Sequence, residues 1–251
     1  MQRKAGLIDV FAKPYEVWTR RRNSHQEALD LVVNHGVHPS QALDVNDKLI
    51  AVVATASEAA ARMLTVRADN GLENHVEAAL DSSAEYQALR RSMPLAEPPE
   101  LSAYQGSFTE RDWEPADAAI KVNGVKMADG QFLFHGGLWP SDSNSFITTR
   151  PLSTSFCPQV ALRNAEWRGK AYESGRVDLM VVRVTNSETK AYAYSREGEH
   201  GNEKEVVFAS GANLRRVRES RLADMPVSKV TSTLETLEKV VPAYLLEVEL
   251  S

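Results

Sequence analysis

Residues 146–162 read FITTRPLSTSFCPQVAL, and the reading of this stretch decides the fold. Three consecutive hydroxyls, Ser153, Thr154 and Ser155, stand between apolar residues. In a dry core each needs a hydrogen-bond partner, and a surface loop does not ordinarily run into an apolar segment opening with proline. As a strand, alternation sends Ser153 and Ser155 to one face and Thr154 to the other. As a turn, a hydroxyl caps the helix that follows. Either way a helix is expected over 157–169 (CPQVALRNAEWRG), with Pro158 in its first turn, where its missing N–H costs nothing.

Working outward, the rest of the second half is expected to form strands. QFLFHGGL (131–138), RVDLMVVRVT (176–185), TKAYAYS (189–195), EVVFASG (205–211), NLRRVRES (213–220) and YLLEVELS (244–251) are short and rich in Val, Phe, Tyr and Leu. They are bounded by Gly, Asn and Ser. Many short strands with one early helix predict an α+β domain built on mostly antiparallel sheet.

The first ninety residues are expected to be helical. Ser24 and Glu27 fit a capping box ahead of ALDLVV, and Gly36 suits its stop. Helical spacing continues over 46–67 through Leu49, Ile50, Val53, Ala56, Ala60, Met63 and Leu64, with Asn70-Gly71 as its end. A third helix is expected from Leu72 to about Arg91. SMPLAEPPELSAYQG (92–106) has three prolines and little periodicity. The division is therefore a helical region 1–92, a linker 93–105 and a second domain 106–251.

Bulk properties remove several classes. The 251 residues are 43% hydrophobic and 25% charged, enough for a sizeable core. A net charge of −5 argues against attachment to nucleic acid by overall charge, though not against a local basic face. The single cysteine, Cys157, excludes an intramolecular disulfide and a cysteine-rich zinc site. No run approaches a membrane span, and the N-terminal stretch shows no signal-peptide pattern. A cytoplasmic protein is expected, including one that acts in the cytoplasm of a target cell. His35 and His38 flank Gly36 and fit a helix end better than a metal clip, so no metal is expected.

Three pieces of the second half are chemically unusual. His135 precedes Gly136-Gly137 at a strand end, where missing side chains let a ligand approach the backbone; a strand ending in a turn, with a satisfied edge histidine, is the alternative. The Ser-Thr-Ser run is the second. Glu203-Lys204-Glu205 is the third: alternation at a strand entrance puts both carboxylates on one side, against their mutual repulsion, although a solvated charge run reads the same way.

In this order, His-Gly, then STSFCPQVAL, then EKEVVF resemble the ADP-ribosyltransferase superfamily, and within it the toxin-type branch with an Arg, Ser-Thr-Ser, Glu-x-Glu pattern. The resemblance covers roughly residue 116 onward. It departs at one place: the branch carries arginine where this chain has His135, as the diphtheria-toxin-like branch and the poly(ADP-ribose) polymerases do. Arg150 or Arg163 are candidates for the missing cation.

The resemblance implies NAD as substrate and no metal. His135 and Gly136 would contact the dinucleotide, the imidazole donating to a ribose hydroxyl, while Thr154, Ser155 and an aromatic residue, Tyr172 or Trp167 of WRGKAYESG, would shape the pocket. Ser153 would hold the catalytic carboxylate. Glu205 would steady the positive charge that develops on the ribose as nicotinamide leaves, as glycosidase carboxylates do. Glu203 would activate the nucleophile and mark a protein arginine as acceptor. RNA or DNA is second, for which the cluster Arg215, Arg216, Arg218 and Arg221 is the candidate track. A toxin would also imply an antitoxin or immunity protein as partner. An NAD glycohydrolase and a degenerate, non-enzymatic binding module on the same fold are the alternatives.

Overall fold

The computed structural model describes residues 4–107, 109–140, 143–198 and 200–251. The start of the N-terminal stretch and Glu199, in the loop ahead of Glu203, lie outside the described residues. In chain order the elements are β1 (Tyr15–Arg22), α1 (His25–His35), β2 (Asp44–Val53), α2 (Ala56–Val66), α3 (Asn70–Ser82), α4 (Ala84–Ser92), α5 (Pro99–Ser107) and α6 (Trp113–Asn123). There follow β3 (Val125–Lys126), β4 (Phe132–Gly136), β5 (Ser145–Ile147), β6 (Leu152–Ser155), α7 (Pro158–Glu166) and α8 (Lys170–Ser174). The chain ends with β7 (Val177–Val184), β8 (Lys190–Ala193), β9 (Glu205–Phe208), β10 (Asn213–Val230) and β11 (Thr236–Leu250).

The fold is α+β. Among the described residues β3 to β11 form one nine-stranded sheet in the order β3-β8-β9-β6-β4-β7-β11-β10-β5. Its pairs are antiparallel except β7 with β11, which is parallel, from Val177 opposite Ala243 to Val184 opposite Leu250. β7 is buried on both faces at every residue but Arg183, as expected of a strand in mid-sheet with helices against it. α7 begins with Pro158 at its first turn and buries Val160, Ala161, Leu162 and Ala165; of these, the valine and the leucine contribute about 1.5–3 kcal/mol each when fully buried.

The first ninety residues are not all helical. β1 and β2 form a separate antiparallel pair, Tyr15 opposite Val53 through Arg22 opposite Asp44. Leu49, Ile50 and Val53, expected on one helix face, lie on β2, and Leu49 and Ile50 are exposed. The helix starts ten residues later than expected, at a second capping box, Thr55 with Glu58. Asn70-Gly71 do not stop a helix; they open α3, with Asp69 as its N-cap. The third expected helix is two, divided at Ser83, whose hydroxyl accepts from the Tyr86 N–H. α1 keeps its predicted capping box and its left-handed Gly36 stop.

The stretch expected as a linker is packed. Met93, Leu101 and Tyr104 are buried in the cluster that holds the sheet and α2 to α4. The Tyr104 hydroxyl donates to the Pro151 carbonyl at 2.9 Å and the Tyr194 hydroxyl to that of Leu101 at 2.9 Å. Three prolines hid a nine-residue helix that starts on one of them, Pro99.

Candidate active site

β9, β6 and β4 are neighbours in the sheet, so the three motifs meet although 135, 153 and 205 are far apart in the chain. The stretch 153–155 is a strand with Ser153 opposite Val207 and Ser155 opposite Glu205. Ser153 is the hub. Its hydroxyl donates to Glu205 Oε1, and its carbonyl lies 2.6 Å from His135 Nδ1. A carbonyl only accepts, so Nδ1 carries the proton. Burial, helped by the nearby positive charges of Lys170 and Arg150, pushes His135 down to about 4, and the ring is neutral at pH 7. Nε2, which carries no proton and has no hydrogen-bond partner among the described residues, is therefore an acceptor. This corrects the expected direction: a hydroxyl would donate to the imidazole, not receive from it.

Glu205 is buried at 8% exposure. Burial drives its pKa up to about 7; the neighbouring charges of Glu203 and Glu97 push the same way, and hydrogen bonds from Ser153 and Gln105 pull against them. Gln105 was not anticipated. Its Nε2 donates to Glu205 Oε2 at 3.0 Å, so each carboxylate oxygen has a protein donor. Gln105 lies on α5, inside the proline-bearing stretch, and no spacing rule links it to a residue a hundred positions away.

Glu203 is not on the strand. It closes a 3-10 turn, Gly201–Glu203, and the strand begins at Glu205. Lys204 between them has φ 50° and ψ 40°, a left-handed conformation rarely adopted outside Gly, Asn and Asp. Strand alternation is therefore not what relates the two carboxylates. Glu203 is partly exposed, 3.9 Å from His200 Nδ1, and burial raises its pKa.

The other expected site residues are placed as follows. Thr154 and Ser155 are buried, and both hydroxyls bond backbone: Thr154 to the Val206 carbonyl at 2.6 Å, Ser155 to the Glu203 carbonyl at 2.6 Å. They pin β6 to the glutamate-bearing segment. Gly136 faces the protein, since a Cβ there would stand 1.7 Å from the Ala161 carbonyl of α7. The strand ends in glycine because a helix crosses it. At Gly137 a Cβ would meet His135 Nε2 at 2.6 Å, so this second glycine keeps the imidazole's free nitrogen clear. Tyr172, on α8, packs against the core with Lys239 over its ring at 4.5 Å. Trp167 is exposed. The segment 167–174 is a 3-10 turn followed by α8.

Of the two candidate cations, Arg163 pairs with Glu73 at 3.4 Å, whereas Arg150 lies close enough to influence both His135 and Lys170. The four arginines of β10 each face a carboxylate: Arg215 with Glu249, Arg216 with Glu219, Arg218 with Glu247 at 4.0 Å, and Arg221 with Asp224 at 2.5 Å. Among the described residues there is no cluster of three or more metal-ligating side chains, and no helix is long and apolar enough to cross a membrane.

No family model matches the chain and no curated protein matches it. Solved structures do. The chain is similar to the ADP-ribosyltransferase Vis from Vibrio splendidus, solved with agmatine, at 15% identity over 74% of this chain and 86% of that one, with a TM-score of 0.41. It is similar to the enzymatic component C2-I of the C2-toxin from Clostridium botulinum, at 10% identity over 75% of this chain and 45% of that one, TM-score 0.31. A third likeness is to C3stau2 from S. aureus, solved with NAD, at 12% identity over 57% of this chain and 73% of that one, TM-score 0.32. All three likenesses are distant, with identities of 10–15% and TM-scores of 0.31–0.41.

Proposed function

We propose that the protein is an NAD-dependent mono-ADP-ribosyltransferase of the toxin type whose acceptor is a protein arginine. The observation that carries this reading is the Ser153-held, desolvated Glu205 beside a neutral His135. Nicotinamide leaves when its C–N bond to ribose breaks and the electron pair departs with it, so positive charge grows at the anomeric carbon. Glu205, ionised, accepts from the ribose 2′-hydroxyl and steadies that charge in a site of low dielectric. His135 Nε2 accepts from a second ribose hydroxyl. Arg150 and Lys170 supply the field for a pyrophosphate; crowding of positive charge there is consistent with the lowered pKa of Lys170, which follows first from burial and then from Arg150 and Arg168.

In the second half of the reaction a guanidinium nitrogen forms the new C–N bond and its proton passes to Glu203. Glu97 and Glu203 lie close enough to Glu205 to raise its pKa, an acidic neighbourhood that favours a cationic acceptor. The neutralised arginines of β10 offer little to a polyanion, which supports protein over RNA or DNA.

The test is incubation with labelled NAD and a cell lysate, followed by separate protease and nuclease digestion. Label released by protease and stable to nuclease is the expected result. Label released by nuclease moves the acceptor to nucleic acid. Nicotinamide release with no labelled macromolecule makes the protein a glycohydrolase, and absence of both makes it a binding module.

A further inference from the structure

α3 carries Glu73, Glu77 and Asp81, spaced four apart and so on one helix face. All three meet the loop that delivers Glu203, and they meet it at both ends. At its start, Arg196 places Nη2 2.7 Å from Glu77 and Nη1 2.6 Å from Asp81. At its finish, Lys204 Nζ lies 3.3 Å from Glu73 and donates to the Asn202 carbonyl at 2.9 Å. The Lys204 side chain is 1% exposed; an ammonium so buried is held by its partner, because an unpaired one is expensive.

Glu73 is itself fixed. It lies in the first turn of α3, where the helix dipole favours a carboxylate, and accepts from Gln159 Nε2 of α7 at 2.5 Å. Between the two anchored ends the chain turns tightly: a Cβ on Gly201 would stand 2.0 Å from the Arg196 carbonyl. The left-handed Lys204 then reverses direction so that Glu205 enters the sheet.

From this geometry we infer that the acidic face of α3 is a clamp that positions Glu203 toward the acceptor, so that the N-terminal helices set the transfer step. The inference rests on the role given to Glu203 above. Glu73, Glu77 and Asp81 are positioning residues and touch no reacting atom. The Glu205 carboxylate is held separately, by Ser153 of β6 and Gln105 of α5, so the Arg196 end of the clamp acts on transfer and leaves nicotinamide departure alone.

The experiment compares wild type with Glu77→Gln/Asp81→Asn, whose carboxylates are half-exposed, so that the variant folds. Nicotinamide release and transfer to an arginine-containing acceptor are measured together with amide hydrogen exchange of the 195–205 segment. The expected result is faster loop exchange, transfer reduced by about tenfold and nicotinamide release within about twofold of wild type. Glu73→Gln should act in the same direction, and Glu73→Asp should restore part of the loss. Unchanged loop exchange overturns the clamp; so does faster exchange with unchanged transfer, or a parallel fall of transfer and release. If wild type neither releases nicotinamide nor labels an acceptor, the reading of the active site fails and the role of Glu203 with it. Loop exchange then still decides whether α3 holds the loop.

Discussion

Glu205 and Glu203 are separated by one residue and are supported in opposite ways. Glu205 opens a strand paired on both sides, is buried, and has a donor on each oxygen. Glu203 closes a turn, keeps about a third of its side chain exposed, and among the described residues its carboxylate has a histidine at 3.9 Å as its charged partner. The difference teaches that the sheet fixes one carboxylate in place while the turn leaves the other accessible, which under the proposed function would set one against the reacting carbon and offer the other to the acceptor. A group that stabilises a transition state must not move; one that meets a macromolecule needs access.

The first way to break this contrast is Glu205→Gln. It keeps shape and removes charge, and should lower both nicotinamide release and transfer by at least ~100-fold. Equal loss in Glu203→Gln, measured by the same two assays, would erase the distinction.

The same substitution reads out in stability. The folded carboxyl titrates near 7 against 4.5 for a free one, so folding holds its proton more tightly. The stability this brings is complete below pH 4.5 and is lost as pH rises through about 7. A shift of that size corresponds to about 3 kcal/mol. Glu205→Gln should therefore stabilise the protein at pH 8, by about 2 kcal/mol once the less suitable amide hydrogen bonds are counted, and have little effect at pH 4. Thermal melts at the two pH values check this. Wild-type activity should rise with pH through the same region, because the ionised form is the one that acts.

Glu203→Gln should lower transfer by about tenfold or more while release of nicotinamide to water persists. Next in size, His135→Ala should weaken NAD binding by about 1–2 kcal/mol, the loss of one buried hydrogen bond, measured by calorimetry. Unchanged affinity moves the anchor to Arg150. The smallest effect belongs to Gln105→Ala: the second oxygen of Glu205 loses a neutral donor, worth about 1 kcal/mol, and release should fall a few-fold with transfer in step. A fall in transfer alone would mean that α5 serves the acceptor.

Much of this arrangement was legible in the sequence where the cause is local. Ser24 with Glu27 and Gly36 bounded α1, Pro158 opened α7, and the Val- and Phe-rich runs were strands. The Ser153–Glu205 bond is the one that the family resemblance implies. β1 and β2 were missed because Leu49, Ile50 and Val53 also satisfy helical spacing; Thr55-x-x-Glu58 marked the true helix start. Gly136 shows the limit of motif reading, since a glycine expected to face a ligand faces Ala161. Gln105, Glu73 and the left-handed Lys204 were out of reach. Their partners are 100 and 131 positions away, and such contacts exist only after the sheet and helices have met.

The parallel pairing of β7 with β11 has a consequence for synthesis. β7 pairs β4 on one side as soon as both are made, but its other side waits for residues 236–250. Roughly fifty residues separate the two strands, which is several seconds of translation at about 5–20 residues per second. During that interval an apolar strand edge stands open on the ribosome, the kind of surface that recruits chaperones and seeds aggregation. A nascent chain arrested before β11 should therefore stay protease-sensitive through β7 and bound to a holdase, and one arrested with β11 fully emerged should not.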